Sequence, residues 1–149
     1  MPLIAVDAMG GDSVPSVPIQ GAFRAVEKNP DLEIILVGPE DQAMPIIDEC
    51  GGLNDRIRFM HAPEWVSMDE SPVEALRNKP ESSLAAIVKM QKERSVEGIF
   101  SAGNTGAFVA ACSVHLRMVD GVRRPAIALP MPRGDMPIIL CDGGANVES

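Results

Sequence analysis

The sequence predicts an α/β protein: a parallel or mostly parallel sheet with helices on both faces, in three layers. Three observations carry that expectation. Short apolar runs alternate with segments of helical periodicity, and alternating strands and helices build parallel sheets. The strand-like runs are apolar throughout, as strands covered on both faces are. Three of those runs end in glycine-rich turns, at the strand ends where open parallel sheets hold ligands.

The elements follow in order. Leu3 to Val6 is the first strand, and a Gly- and Pro-rich loop runs from Gly10 to Pro18. Ile19, Ala22, Phe23 and Val26 then recur at helical spacing, with Ser16 as cap and Pro18 in the first turn. Asn29-Pro30-Asp31 breaks that helix. Leu32 to Val37 is the second strand, closed by Gly38-Pro39. A short helix is expected from near Pro45 to the Gly51-Gly52 stop. Ile57 to Met60 is a third strand, and 62–71 is an irregular loop. Pro72 to Lys79 reads as a short helix capped by Ser71, and Ser82 or Ser83 caps the next, through about Arg94. Strand 98–101 leads into a helix from about Thr105 to Arg117. Ala126 to Leu129 and Pro137 to Leu140 read as two late strands, paired as a hairpin around Arg133-Gly134-Asp135.

Composition bounds the function. The chain has 149 residues, enough for one domain with a real core. With four Phe, one Trp and no Tyr, that core must be aliphatic, and the nine Met read as ordinary core, with adaptable packing or a greasy surface as the alternative. The formal charge of −8 argues against nucleic acid as a partner. An anionic ligand must therefore be held by a local site against the overall field. Cys50, Cys112 and Cys141 match no zinc spacing and no disulfide framework, and read as reduced, buried thiols of a cytosolic protein. Neither a signal peptide nor a membrane span is visible, and no metal or other cofactor is called for.

Three motifs carry chemistry. In Asp7-Ala8-Met9-Gly10-Gly11-Asp12, two glycines after a buried strand let the backbone turn sharply and approach a ligand, and the aspartates can orient amides or accept protons. A plain Gly-Gly turn is the structural alternative. In Ser101-Ala102-Gly103-Asn104-Thr105-Gly106-Ala107, a strand meets a helix whose first N–H groups form an anion site, with Asn and Thr as added donors. An Asn-capped helix start is the alternative there. The motif lacks the Lys-Ser/Thr ending of a P-loop and the Gly-x-Gly-x-x-Gly dinucleotide pattern. Asp142-Gly143-Gly144-Ala145-Asn146 again runs a buried strand into glycines flanked by polar groups, or is only a chain reversal.

Together, and in this order, the three blocks resemble the signatures of the PlsX-type phosphate acyltransferases. Ser67-Met68-Asp69-Glu70-Ser71-Pro72, Ala75-Leu76-Arg77-Asn78-Lys79, Ser82-Ser83 and Gly121-Val122-Arg123-Arg124-Pro125-Ala126 fit as well. Gly143 departs, standing where a larger apolar residue is expected. The resemblance covers almost the whole chain and is to the N-terminal part of the family, whose members continue well beyond the third motif. It implies a single α/β/α domain over 1–149, like the isocitrate/isopropylmalate dehydrogenases and truncated here. It further implies a homodimer that makes acyl phosphate from acyl-[acyl carrier protein] and inorganic phosphate for phospholipid synthesis. A membrane glycerol-3-phosphate acyltransferase would act downstream, and the enzyme would be cytoplasmic, with peripheral association at the inner face of the membrane.

Under that reading Asp7, Asp12, Asn104 and Asp142 are the catalytic candidates, with the choice of base among the aspartates left open. Gly10, Gly11, Ser101, Gly103, Asn104, Thr105, Gly106 and Asn146 are the phosphate-binding candidates. Arg77, Lys79, Arg123 and Arg124 are candidate anion or carrier-protein contacts, or solvated charges. His115 shares a helical face with Phe108, Ala111 and Cys112 and reads as packed; His61 ends a strand. Two rival readings stand: a non-catalytic folded fragment of that enzyme, and a Rossmann-type nucleotide-binding domain.

Overall fold

The computed structural model describes residues 1–123, 125–134 and 136–142. The chain divides into two compact units, Met1–Arg117 and Met118–Ser149.

The first unit holds β1 (Leu3–Asp7), α1 (Ser16–Lys28), β2 (Glu33–Gly38), α2 (Glu40–Glu49), β3 (Ile57–His61), α3 (Pro72–Asn78), α4 (Ser83–Lys92), β4 (Gly98–Phe100) and α5 (Thr105–Leu116). Its four strands form one sheet in the order β3-β2-β1-β4, and every pairing is parallel. β1 therefore lies at the centre, with Ile4 opposite both Ile34 and Gly98.

The expected three layers are present because side chains alternate along each strand. Val6, Ile34, Leu36 and Ile57 pack with Ile19, Ala22 and Val26 of α1 and Ala43 and Ile47 of α2. Ala5 and Val37, on the other face, pack with Ala75 of α3, Leu84, Ile87 and Val88 of α4, and Ala107 and Ala111 of α5. Each fully buried Ile or Leu contributes about 1.5–3 kcal/mol relative to an exposed one.

Several element ends differ from the sequence reading. α1 starts at Ser16 itself, behind Pro15, with no side-chain cap. Pro18 is its third residue, where a missing N–H costs no helix bond. α2 starts at Glu40, a full turn before the expected Pro45, which lies inside the helix. Glu40 and Asp41 complement the positive helix end, and the Glu40 N–H is accepted by Nδ1 of His61 at 3.2 Å. Together with the burial of Ala43 and Ile47, these contributions offset the helix bond that Pro45 lacks. The Gly51-Gly52 stop holds, with both glycines at positive φ and the Gly52 N–H returning to the Ile47 carbonyl. Ser71 precedes α3 without a side-chain cap bond, whereas Ser82 caps α4 by accepting from the Ala85 N–H. α4 ends at Lys92, short of Arg94, which takes a positive φ of 56°.

The second unit contains β5 (Ala128–Met131) and β6 (Ile138–Cys141), paired antiparallel. This is the expected hairpin, displaced by one or two residues. Its turn residue Asp135 lies outside the described residues.

Among the described residues no helix is long and apolar enough to cross a membrane. The thiols differ from expectation: Cys50 and Cys112 are half-buried and Cys141 is exposed.

Candidate functional site

β1 and β4 are parallel neighbours, so their carboxyl ends lie side by side. The turn after β1 and the turn after β4 therefore meet. A Cβ built on Gly10 would lie 2.6 Å from Ser101 Oγ, 2.9 Å from the Gly103 nitrogen and 3.0 Å from that of Ala102. One built on Gly103 would lie 3.2 Å from the Gly10 Cα. Only glycines allow the two backbones this close. Gly11 adds a φ of +128°, open to glycine but strained for other residues. Two of the three glycine motifs thus converge as the sequence suggests. Of the third, Gly143, Gly144 and Asn146 lie outside the described residues.

Side chains tie the two turns together. Asp7, 5 % exposed, accepts from the Met9 N–H through Oδ1 at 3.0 Å. Its Oδ2 accepts from the Ser101 hydroxyl at 2.8 Å. Ser101 Oγ in turn accepts from the Gly103 N–H at 3.1 Å. Burial pushes the Asp7 carboxyl above the ordinary carboxylate range, while the neighbouring Ser83 and Ser101 hydroxyls and the Met9 N–H pull the other way. Ser83 is fully buried. It bears on the Asp7 carboxyl, and its Oγ has no other partner among the described residues. Asp12, by contrast, is exposed. Asp12, Gly10 and Gly11 also border a largely apolar pocket of about 690 Å³, walled by Val6, Ile34 and Phe100.

Asn104 is the N-cap of α5, its Oδ1 accepting from the Ala107 N–H at 3.0 Å. Its Nδ2 faces the carbonyls of Ser67, Met68 and Glu70, at 3.4, 3.3 and 3.0 Å. The side chain thus caps the helix and clamps the 67–70 loop at once. The helix bonds leave the N–H groups of Thr105 and Gly106 pointing out of its first turn. Thr105 is exposed. Gly106 serves packing: a Cβ there would lie 2.9 Å from Pro72 Cγ. The clamped loop is braced by Glu70, whose Oε1 accepts from the Ser67 N–H and hydroxyl and from Lys79 Nζ. Lys79 and Ser67 hold the Glu70 carboxyl down at about 2. Lys79 also donates to the Trp65 carbonyl at 2.9 Å, so it is engaged within the fold.

Arg77 and Arg123 are exposed and Arg124 lies outside the described residues. His115 is exposed, correcting the packed reading: the face it shares with Ala111 turns outward by the last turn of α5. Asp142 stands in the second unit at a positive φ of 48° and accepts from the Ile127 N–H at 3.4 Å. Among the described residues no group of His, Cys, Asp and Glu could hold a metal ion. The bond from Asp7 to Ser101 was not visible in the sequence, where 94 positions separate them. The signal that could have found it is a lone acid ending a buried strand.

Comparison with known proteins shows the family of the chain. A family profile described as fatty acid synthesis protein matches residues 3–149. A phosphate acyltransferase of Clostridium perfringens (strain SM101 / Type A) is 39% identical over 146 residues, covering 98% of this chain and 43% of the relative. One from Legionella pneumophila (strain Corby) is 41% identical over 147 residues, again 98% and 43%. One from Clostridium tetani is 41% identical over 145 residues, 97% and 43%. The chain thus spans less than half the length of these relatives. With a match over nearly all its residues and the paired glycine turns in place, the chain belongs to the fatty acid synthesis protein family, that of the PlsX-type phosphate acyltransferases.

Proposed function

We propose that this chain carries part of the site at which a phosphate acyltransferase makes acyl phosphate from acyl-[acyl carrier protein] and inorganic phosphate, in phospholipid synthesis. The observation that carries the reading is the meeting of the Gly10-Gly11 turn with the turn before α5, in a chain that matches phosphate acyltransferases almost end to end. A phosphate oxygen attacks the thioester carbonyl, the C–S bond breaks, and the carrier's thiol leaves with a proton. Such a site must hold phosphate, stabilise the oxyanion and keep water from the product.

The Thr105 and Gly106 N–H groups would bind phosphate at the positive end of α5, with Asn104 setting that turn through its cap. Gly10, Gly11 and Gly103 would admit the ligand to the backbone. Asp12, exposed beside them, is the acid best placed to meet a substrate. Asp142, and Asn146 outside the described residues, are further candidates of the same reading. In this reading residues 1–149 are part of one α/β domain like that of the isocitrate/isopropylmalate dehydrogenases. The working enzyme is a cytoplasmic homodimer, peripheral at the inner face of the membrane, that feeds a membrane glycerol-3-phosphate acyltransferase and binds no nucleic acid. No metal or other cofactor takes part in the proposed chemistry.

A second reading is a non-catalytic folded part of that enzyme, the chain matching 43% of the relative's length. An acyl phosphate assay on this chain beside a full-length relative separates the two. Product from both supports a working site in this chain; product from the relative alone supports the non-catalytic fragment. Product from neither, under conditions in which both are folded, overturns the acyltransferase reading.

A further inference from the structure

We propose that Asp7 and Ser101 form a clasp that fixes the Gly103 N–H and the entrance to α5 against the Gly10-Gly11 turn, so that Asp7 positions the site and does not itself meet the substrate. The proposal rests on the reading of these turns as an anion site and assigns Asp7 its role there.

The hydrogen bonds run in one direction. The Gly103 N–H donates to Ser101 Oγ, and the Ser101 hydroxyl donates to Asp7 Oδ2. The Met9 N–H donates to Asp7 Oδ1 from the other turn. Asp7 is thus the acceptor on which both turns end, and bonds chained this way reinforce one another. At 5 % exposure, little of it is open to a ligand. The glycine contacts make the clasp close-fitting: Ser101 Oγ sits where side chains at positions 10 and 103 would be.

Ser83 supplies an independent observation. Its fully buried hydroxyl bears on the Asp7 carboxyl and has no other partner among the described residues. A carboxylate has about four acceptor sites, so it can take Ser83 as a donor beside Met9 and Ser101. Asp7 therefore differs in kind from Asp12, which ends the same motif in solvent.

The test is amide hydrogen exchange of this chain, followed residue by residue, in wild type, Ser101→Ala, Asp7→Asn and the control Asp31→Asn, which changes an exposed acid. The clasp predicts that the Gly103 amide loses roughly tenfold in protection in Ser101→Ala and Asp7→Asn, the scale of one charge-assisted hydrogen bond. The β2 amides and the Asp31→Asn protein should stay as in wild type. Unchanged Gly103 protection in Ser101→Ala overturns the clasp, as does a loss shared equally by β2. Should Asp7→Asn fail to fold, Ser101→Ala, which removes one half-buried hydroxyl, decides alone. A parallel titration with inorganic phosphate separates positioning from mere structure. The clasp predicts weaker phosphate binding in Ser101→Ala at unchanged β2 protection, and equal affinity in both proteins overturns the positioning role. If wild type binds no phosphate, the anion-site reading falls and the positioning role falls with it, whereas the exchange result still reports whether the clasp itself exists.

Discussion

Two strands of this chain are nearly the same string. β2 contains Ile34-Ile35-Leu36-Val37, and β6 is Ile138-Ile139-Leu140-Cys141. In β2, Leu36 and Val37 are 0% exposed and Ile34 is 3%. In β6, Leu140 is 48% exposed and Ile139 54%. β2 sits between β1 and β3, with α1 and α2 on one face and α4 on the other. β6 pairs only with β5 among the described strands. An apolar run makes a strand in both settings, but only neighbours on both edges and both faces turn it into core.

The largest expected effect breaks that comparison directly. Leu36→Ala should destabilise by about 2–5 kcal/mol through lost transfer energy and a residual cavity. Leu140→Ala should stay within about 0.5 kcal/mol. Urea denaturation of each variant measures both, and equal losses would mean that β6 is covered in solution.

The glycines allow a similar contrast inside the first unit. Gly10→Ala should cost about 1–3 kcal/mol, because its methyl meets Ser101 Oγ and the Gly103 backbone. Gly21 lies in mid-helix with nothing within 4 Å of its Cβ position, so Gly21→Ala should stabilise by about 0.5–1 kcal/mol. Thermal melts of the pair compare a close approach with an ordinary helix position.

Asn104 gives a subtler result. Asn104→Asp keeps an oxygen for the Ala107 N–H. It also replaces the donor that faces the Ser67, Met68 and Glu70 carbonyls by a second acceptor. The expected loss is about 1 kcal/mol, the net worth of hydrogen bonds to part-buried and exposed carbonyls, again read by denaturation. A variant as stable as wild type would mean that Asn104 acts as a cap alone.

Much of this was legible in the chain because it is local. The buried runs at 3–6 and 32–37, the Gly51-Gly52 stop, the Ser82 and Asn104 caps and the late hairpin are set by neighbouring residues. The start of α2 was misplaced because Pro45 outshone the acidic pair Glu40-Asp41 and because His61, which accepts the Glu40 N–H, lies a strand away. His115 was misread because helical periodicity marks a face without saying where its cover ends. At the site, the glycine turns and the Asn104 cap were visible. The second half of the Asn104 amide, the Asp7–Ser101 bond and the dependence of Gly106 on Pro72 were not, since each joins segments distant in sequence.

If the turn before α5, held against the Gly10-Gly11 turn, is an anion site, inorganic phosphate must bind there. Titrating the isotope-labelled chain with inorganic phosphate, and following every backbone amide by NMR, tests it most directly. Saturable shifts are expected, centred on Thr105 and Gly106, extending to Gly11 and absent from β3. Shifts that fail to saturate, or that centre on residues away from both turns, would contradict it.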